Sequence, residues 1–579
     1  MSITVSPKTI TASMARRAAA NKPIINRPVK FLLISFPPLN NMTGFWLDNG
    51  LANLGGALVK SGNDVRIRDY GTPDTIKRLT PKAYSVVLSF LYNKIMKRVQ
   101  NNKAPWLWHI LPFKWTMRSL ERYRDNKVNS FGSELADYIK KENIDAVGFK
   151  LWNGSGIKGS IEMAKIIKKL YPDMPIFGGG PQVDLFLENI LKENNNIFDA
   201  LVYAEGEETI KDLAEYVKGT RSLKDINNLI YYENGKYIKN PIKRIEDLNS
   251  LPFPVYDEEH YVAAGMDQKV RKIIIYDESR GCGGNCGFCA QKVKSGALRV
   301  KSAENAINEI KMLQTKYGIT GFRFAGSSTP PEFVNEFAQG IINEGIKVNY
   351  TMFLRIEDAQ KADFALWRKS GVKAIFYGVE SGSQEVLNKL NKGINIEQIR
   401  QAIKKTKDAG IYTVASLIFP TPFETGTSEQ ETLDLVTSLN VDSSPVQFYG
   451  VYPGTPSWND PSSFNIRFHY NNSKMLQKMM FYPITLFLPL SLWKQLDYDI
   501  NGDSFKEYTK KTGIIQKKLM GAGISVTMSD DLHIMAEYLN MSDKDFTDLY
   551  RWAIITGKTD VIRRALMAIN KEHEQKTVE

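Results

Sequence analysis

Ser279-Arg280-Gly281-Cys282-Gly283-Gly284-Asn285-Cys286-Gly287-Phe288-Cys289-Ala290 contains all 3 cysteines of the 579-residue chain, spaced C-x3-C-x2-C. Cysteines used as small core hydrophobes scatter with strand or helix periodicity; these crowd into one glycine-rich loop. Three thiolates on such a loop can wrap one face of an iron–sulfur cubane and leave one iron open to a substrate. Structural zinc takes four ligands, and no fourth cysteine or neighbouring histidine accompanies these three. The residues alone favour a cluster, with zinc and inert thiols as the alternatives.

Outward from the loop, six strand-length apolar runs follow at βα spacing: Lys272 to Tyr276, Thr320 to Ala325, Val348 to Leu354, Ala374 to Val379, Tyr412 to Phe419 and Val446 to Val451. Amphipathic helices separate them. One helix start is legible, with Asn395 and Gln398 placed for a capping box and Ile394 with Ile399 for a hydrophobic staple. The pattern predicts a partial (β/α)6 barrel with its site at the carboxyl ends of the strands. The cysteine loop directly follows the first strand, so it sits at that face.

Upstream, Lys30 to Phe36, Asp64 to Asp69, Asp145 to Leu151, Pro175 to Phe177 and Asp199 to Tyr203 alternate with helical patterns. Unbroken apolar strands of this kind predict a parallel doubly wound sheet, which binds ligands beyond its carboxyl ends. Those ends carry Pro37-Pro38, Leu151 to Gly154, Gly178 to Gly180 and Ala204 to Glu208.

The cysteine loop resembles the cluster motif of the radical S-adenosylmethionine (SAM) enzymes, including aromatic Phe288 before the last cysteine. The resemblance implies a 4Fe-4S cluster held by Cys282, Cys286 and Cys289, with SAM chelating the fourth iron. Other strand ends match the family in order. Ala325-Gly326-Ser327 stands at the glycine-rich turn that receives the SAM amino group, without the usual acid, and Arg355 ends strand three. Gly378-Val379-Glu380-Ser381-Gly382-Ser383 matches G-x-E-S-G-S, in which glutamate and serine contact SAM. Pro422-Phe423-Glu424-Thr425 and Pro453-Gly454-Thr455-Pro456 match the P-x-E-T and P-G-T elements.

The upstream unit resembles the cobalamin-binding domain found in front of many radical SAM enzymes. The implied cobalamin contacts are Pro37, Pro38 and Asn40, then Leu151, Trp152, Asn153 and Gly154. Gly178, Gly179 and Gly180 follow, then Ala204, Glu205, Gly206 and Glu207, with Ala204 where the family commonly has glycine. The Asp-x-His-x-x-Gly motif that gives cobalt a histidine is absent, and none of the 5 histidines has that context. Cobalamin without a protein histidine on cobalt is implied; an empty relic domain is the alternative.

By this resemblance the chain is a cobalamin-dependent radical SAM C-methyltransferase, moving a methyl group from methylcobalamin to an unactivated carbon. One SAM would methylate cob(I)alamin and a second would generate the radical. The rivals are a cobalamin-dependent radical SAM enzyme that rearranges or cyclises without methylating, and a non-catalytic cobalamin or cluster sensor. Methylthiotransferases need further cysteines ahead of the barrel. No catalytic group beyond the cluster is assignable. The implied partners are a small-molecule or peptide substrate and an external flavodoxin- or ferredoxin-like electron donor.

Length calls for several domains: a basic tail over 1–29, the Rossmann-like cobalamin-binding domain over 30–225, a linker over 226–270, the radical SAM barrel over 271–456 and a mainly helical C-terminal domain over 457–579. The tail lacks the apolar core of a secretory signal. Cysteines committed to a cluster leave no disulfides, as expected of a reducing cytoplasm, and the 13-residue stretch Phe481 to Trp493, with two prolines, reads as buried rather than membrane-spanning. Charge is concentrated in an insertion over 77–127, where twelve Lys or Arg face two acids and supply +10 of the net +13. Its Trp106, Trp108, Trp115, Tyr84, Tyr92 and Tyr123 ordinarily read as core and its charges as a solvated face. The alternative is a lid or docking surface for an anionic substrate, a leader peptide or a lipid headgroup at a membrane surface. No DNA-binding module accompanies the charge.

Overall fold

The computed structural model describes residues 25–571 except 37, 39–44, 101, 102, 104, 266, 267, 484–489, 491 and 492. Pro37, Asn40, residues 1–24 of the basic tail and most of the apolar stretch at 481–493 lie outside the described residues.

The first sheet is built from β1 (Lys30–Ser35), β2 (Asp64–Asp69), β3 (Ala146–Lys150), β4 (Ile176–Gly179) and β5 (Ala200–Val202), all parallel, in the order β2-β1-β3-β4-β5. Phe31, Leu32, Leu33 and Ile34 are all buried. Helices cover both faces of the sheet, so both alternating sets of side chains must be apolar. Within the expected linker, β6 (Leu229–Glu233) and β7 (Lys236–Lys239) extend the sheet as an antiparallel hairpin. Its turn, Asn234-Gly235, has φ of +49° and +82°, the primed two-residue turn that matches strand twist.

The second sheet contains β8 (Ile273–Tyr276), β9 (Gly321–Phe324), β10 (Asn349–Leu354), β11 (Val372–Glu380), β12 (Tyr412–Ile418) and β13 (Val446–Gln447). All six are parallel and run in spatial order β13-β12-β11-β10-β9-β8. Because β8 and β13 do not pair, the barrel is partial. The capping box of Asn395 and Gln398 starts the helix Ile396–Asp408, and Ile394 and Ile399 are both buried. The C-terminal segment is mainly helical. Its helix Asp530–Tyr538 packs on β10 and β11, where fully buried Asp530 accepts from Arg323 Nε at 2.9 Å and Thr351 Oγ1 at 3.0 Å.

A continuous apolar cluster joins the two units, from Phe31 and Leu33 through Val255 and Tyr261 to Ile274 and Tyr276. At roughly 1.5–3 kcal/mol per buried large apolar side chain, this shared core fixes the sheet ends relative to the barrel mouth. The basic insertion forms a helical hairpin of α1 (Lys82–Gln100) and α2 (Leu107–Glu142). Leu88, Tyr92 and Ile95 of α1 pack with Phe113 and Leu120 of α2. Trp106, Trp108 and Trp115 are exposed instead. Helical spacing identifies a shared face but not which face turns inward, and these tryptophans belong to the surface rather than the expected core. No helix among the described residues is long and apolar enough to cross a membrane.

Candidate functional site

The cysteine loop is held by backbone geometry that few residues permit. Gly281 has φ +86°, and a Cβ there would lie 1.9 Å from the Ala297 carbonyl oxygen. Cys282 N donates to Gly296 O at 3.2 Å, Gly287 N donates to Leu390 O at 2.9 Å, and Gly287 O accepts from Ser457 N at 3.1 Å. The loop is thereby pinned to segments after β8, β11 and β13. All three cysteines are partly buried. Burial pushes the Cys286 thiol up, while the Lys392 amine and Arg355 guanidinium pull it down; burial also raises Cys289. Arg355 Nη1 lies 3.9 Å from Cys282 Sγ. Among the described residues, no His, Cys, Asp or Glu trio is gathered for a single metal ion. Three partly buried thiols on one pinned loop, beside two cations that offset anionic charge, fit an iron–sulfur cluster.

The other expected SAM residues surround this loop. The Phe288 ring is 6.2 Å from Tyr449. Glu380 sits at φ +67°, in the left-handed region, and its Oε1 accepts from Lys392 Nζ at 2.8 Å. Strain of this kind persists only where surroundings over-determine it. Burial pushes the Lys392 amine down, but Glu380 and Cys286 outweigh it and hold the charged form. Ser381 packs against the helix Gly426–Leu439. It is buried, with its Oγ 3.2 Å from Thr432 Oγ1, and it accepts from Ser383 N. Glu424 accepts from Thr421 and Ser428, bracing a helix start.

Sequence reasoning found no acid in the Ala325-Gly326-Ser327 turn, and the structure brings one in from the strand end before the cysteine loop. Glu278, fully buried, accepts from Gly326 N at 3.2 Å and Thr329 Oγ1 at 2.8 Å. A Cβ on Gly326 would lie 2.1 Å from Glu278 Oε1. Burial pushes this carboxyl up against the hydrogen bonds that lower it. Glu278 therefore builds the turn from beneath.

One cavity of about 350 Å³ takes walls from both units. Gly178, Gly179, Gly180, Ala204, Glu205, Gly206 and Glu207 line it from the first sheet, while Ser279, Arg280, Gly281, Ala325 and Ser327 line it from the barrel. Its depth is apolar, at Leu33, Phe177, Val202 and Leu213; its mouth is polar, at Lys150, Asp184, Asp277 and Lys294. An apolar slot opening to a glycine-lined polar mouth fits a cobalamin, with its flat aromatic base and amide-bearing ring. The expected cobalamin set divides, however. Leu151, Trp152, Asn153 and Gly154 do not line this cavity; Leu151 is fully buried, and Trp152 Nε1 donates to Ser35 Oγ at 3.2 Å. Asn153 Oδ1 is buried without a hydrogen-bond partner. Gly154 lines a second cavity, of about 1020 Å³, and Pro38 is buried against Gly156. The β1 and β3 loops lean towards the helix Ser155–Leu170, on the sheet face opposite the first cavity.

The Glu205-Gly206-Glu207 carboxylates chiefly join the two units. Glu207 accepts from Arg280 at 2.5 Å, Arg280 also donates to Asp277 at 3.1 Å, and Glu205 accepts from Arg299 Nη1 at 3.0 Å and from Ile245 N at 2.6 Å. Burial pushes Glu207 up, but the Arg280 guanidinium and amide hydrogen bonds outweigh it and leave the group below the ordinary range. Sequence reasoning missed Asp184, Arg280, Lys294 and Lys392. A buried strand-end carboxylate such as Glu380 demands a cation, but nothing local says which lysine supplies it.

Ala204 has φ +62° and its N donates to Asp184 Oδ1 at 2.6 Å. The left-handed conformation costs a Cβ-bearing residue about 1–2 kcal/mol, partly offset by glycine's greater loss of backbone freedom. Ala204→Gly should stabilise the protein by about 0.5–1 kcal/mol, seen as a raised thermal midpoint. Burial, opposed by the Ala204 hydrogen bond, pushes the Asp184 carboxyl from 3.8 to about 7. A raised acid pKa favours the folded state fully below the unfolded value and loses that contribution as pH rises through the folded one. Asp184→Asn in cobalamin-free protein should therefore match wild type near pH 4 and exceed it by ~2 kcal/mol at pH 8, after discounting for exposure to the cavity. Denaturation across that window checks it.

Family models for the radical SAM superfamily and the B12 binding domain match residues 279–436 and 98–214 respectively. An uncharacterised methyltransferase of Pyrococcus horikoshii is 30% identical over 333 residues, covering 56% of this chain and 71% of that protein. An anaerobic magnesium-protoporphyrin IX monomethyl ester cyclase of Rubrivivax gelatinosus is 28% identical over 343 residues, covering 56% of this chain and 61% of that protein. In structure, the radical SAM methyltransferase TsrM from Kitasatospora setae, solved with cobalamin and a 4Fe-4S cluster bound, superposes with a TM-score of 0.60 at 12% identity, covering 92% of this chain and 99% of that one. That last likeness is one of fold.

Proposed function

This chain belongs to the radical SAM superfamily, with a B12-binding domain ahead of its barrel, and we propose that it transfers a methyl group to an unactivated carbon of its substrate. It is a cobalamin-dependent radical SAM enzyme whose cofactors are a 4Fe-4S cluster, SAM and cobalamin. The observation that carries the methyl-transfer reading is a cavity walled by the first sheet's strand ends and by Ser279–Gly281, where the cysteine loop begins: a substrate beside it would meet a radical source and a methyl source at once. When bound, SAM on the cluster supplies radical chemistry and cobalamin supplies the methyl group.

The chain's own residues position and insulate that chemistry. Cys282, Cys286 and Cys289 would ligate the cluster, and Arg355 and Lys392 favour the thiolates it requires. Glu278 fixes the turn at Ala325–Ser327 facing the cavity. Arg280 and Arg299 hold the first sheet's ends against the cysteine loop. The apolar slot keeps water from the inner part of the cavity.

The cyclase relative favours a second reading, a cobalamin-dependent conversion without methylation. Anaerobic incubation of the reconstituted enzyme with SAM and a low-potential reductant separates the two. Methyl transfer yields both S-adenosylhomocysteine and 5′-deoxyadenosine in the presence of substrate. Formation of 5′-deoxyadenosine alone would leave the second reading standing.

A further inference from the structure

The α1–α2 hairpin exposes large apolar side chains on its outward faces. On α1 these are Val86, Val87 and Phe90, the last 59% exposed; on α2 they are Leu107, Trp108, Leu111 and Trp115, with Trp108 at 64% and Trp115 at 73%. Both sets follow helical spacing, so each forms a stripe rather than scattered exceptions. Isolated exposed apolar residues need no explanation, but a contiguous patch of this kind marks a contact surface.

Basic side chains continue the same stripes. Lys94 and Lys97 follow Phe90 on α1, Arg118 and Arg122 follow Trp115 on α2, and all four are exposed. The helices run antiparallel, with Tyr84 against Ser119. Where the hairpin turns, Arg98 stacks over the Trp106 ring at 4.3 Å. The inner faces are already satisfied by the hairpin's own core and by Ile555, so the outward stripes are not needed for folding.

The geometry points to an anionic phospholipid bilayer as the occupant of this face, with the hairpin lying on the membrane surface. Exposed tryptophan and leucine along a helix, continued by arginine, suit an in-plane interfacial segment whose basic side chains reach the headgroups. The insertion's excess of +10 complements anionic headgroups. No described helix could cross the bilayer, so the contact is peripheral. A protein partner would need its own matching acidic rim, whereas an anionic membrane supplies charge and apolar depth together.

The test is co-sedimentation of the full, cofactor-loaded chain with vesicles of phosphatidylcholine alone or with added phosphatidylglycerol. Wild type should bind the anionic vesicles at least about tenfold more tightly than the neutral ones, and high salt should weaken binding. Trp108→Glu/Leu111→Glu/Trp115→Glu and, separately, Arg118→Glu/Arg122→Glu should each lower binding to anionic vesicles by about tenfold or more. Vesicle-free 5′-deoxyadenosine formation should be unchanged in both, which separates this claim from the proposed reaction and reports folding. Absence of wild-type binding to anionic vesicles would overturn it. So would variants that bind vesicles like wild type but lose a wild-type dimer by light scattering, which would give the face to a second copy.

Discussion

Cys286→Ala should reduce 5′-deoxyadenosine formation by more than about a hundredfold, beyond the 10–100-fold that loss of an outer-shell partner costs a metal site. Cys286 is the middle cysteine of a loop pinned at Gly281, Cys282 and Gly287, so no neighbouring segment can substitute another thiol, and the sequence has no fourth. The visible absorption of the reconstituted cluster should fall in parallel. Because Cys286 is only partly buried and cysteine is small, replacing it removes little packing, and the thermal midpoint of the cluster-free protein should barely move. A variant that keeps both cluster and turnover would remove Cys286 from the ligand set.

Arg280→Leu should be the most damaging change away from the cysteines. Its guanidinium lies between Glu207 and Asp277, with Glu205 at 3.9 Å. Removing one partner of a buried ionic group leaves uncompensated charge and costs about 3–5 kcal/mol, a large part of the 5–15 kcal/mol that holds a typical domain folded. The direction with pH follows from Glu207, which Arg280 helps hold below the ordinary carboxylate range. A depressed acid contributes stability above the unfolded pKa and loses it as pH falls through the folded one. The difference between variant and wild type should thus be largest at neutral pH and shrink below about pH 4. Since Arg280 joins the two units, cobalamin retention should fall with stability, whereas Lys361→Ala, an exposed ion pair, should change neither.

The inner strands were legible because a parallel sheet covered on both faces leaves no room for polar alternation, whereas the edge strand β2 alternates buried Val65 and Ile67 with Arg66 and Arg68. β2 follows Asp64 to Asp69 as read, β8, β10 and β12 differ by one residue at one end, and β9 differs by one at each end. The β6–β7 hairpin was equally available, since Asn234-Gly235 between two apolar runs is a hairpin signal, but the surrounding polar turns masked it. The site divides on different grounds. Residues bound to a backbone motif, such as the cysteines and Gly326, carry local sequence constraints. Arg280, Lys392 and Asp184 matter through partners 73, 12 and 20 residues away, and only the fold brings those together. Glu205 and Glu207 show the reverse. Their motif was legible, but their carboxylates turned out to serve the joint between the units.

Cobalamin in the cavity and a cluster on the adjoining cysteine loop would lie close together, and electron paramagnetic resonance of the loaded protein tests this most directly. With cobalamin in its cobalt(II) state and the cluster reduced, the cobalt signal should relax faster than with the cluster oxidised, because two neighbouring spins interact. Cobalt relaxation indifferent to the state of the cluster would place the cofactors apart and contradict this arrangement.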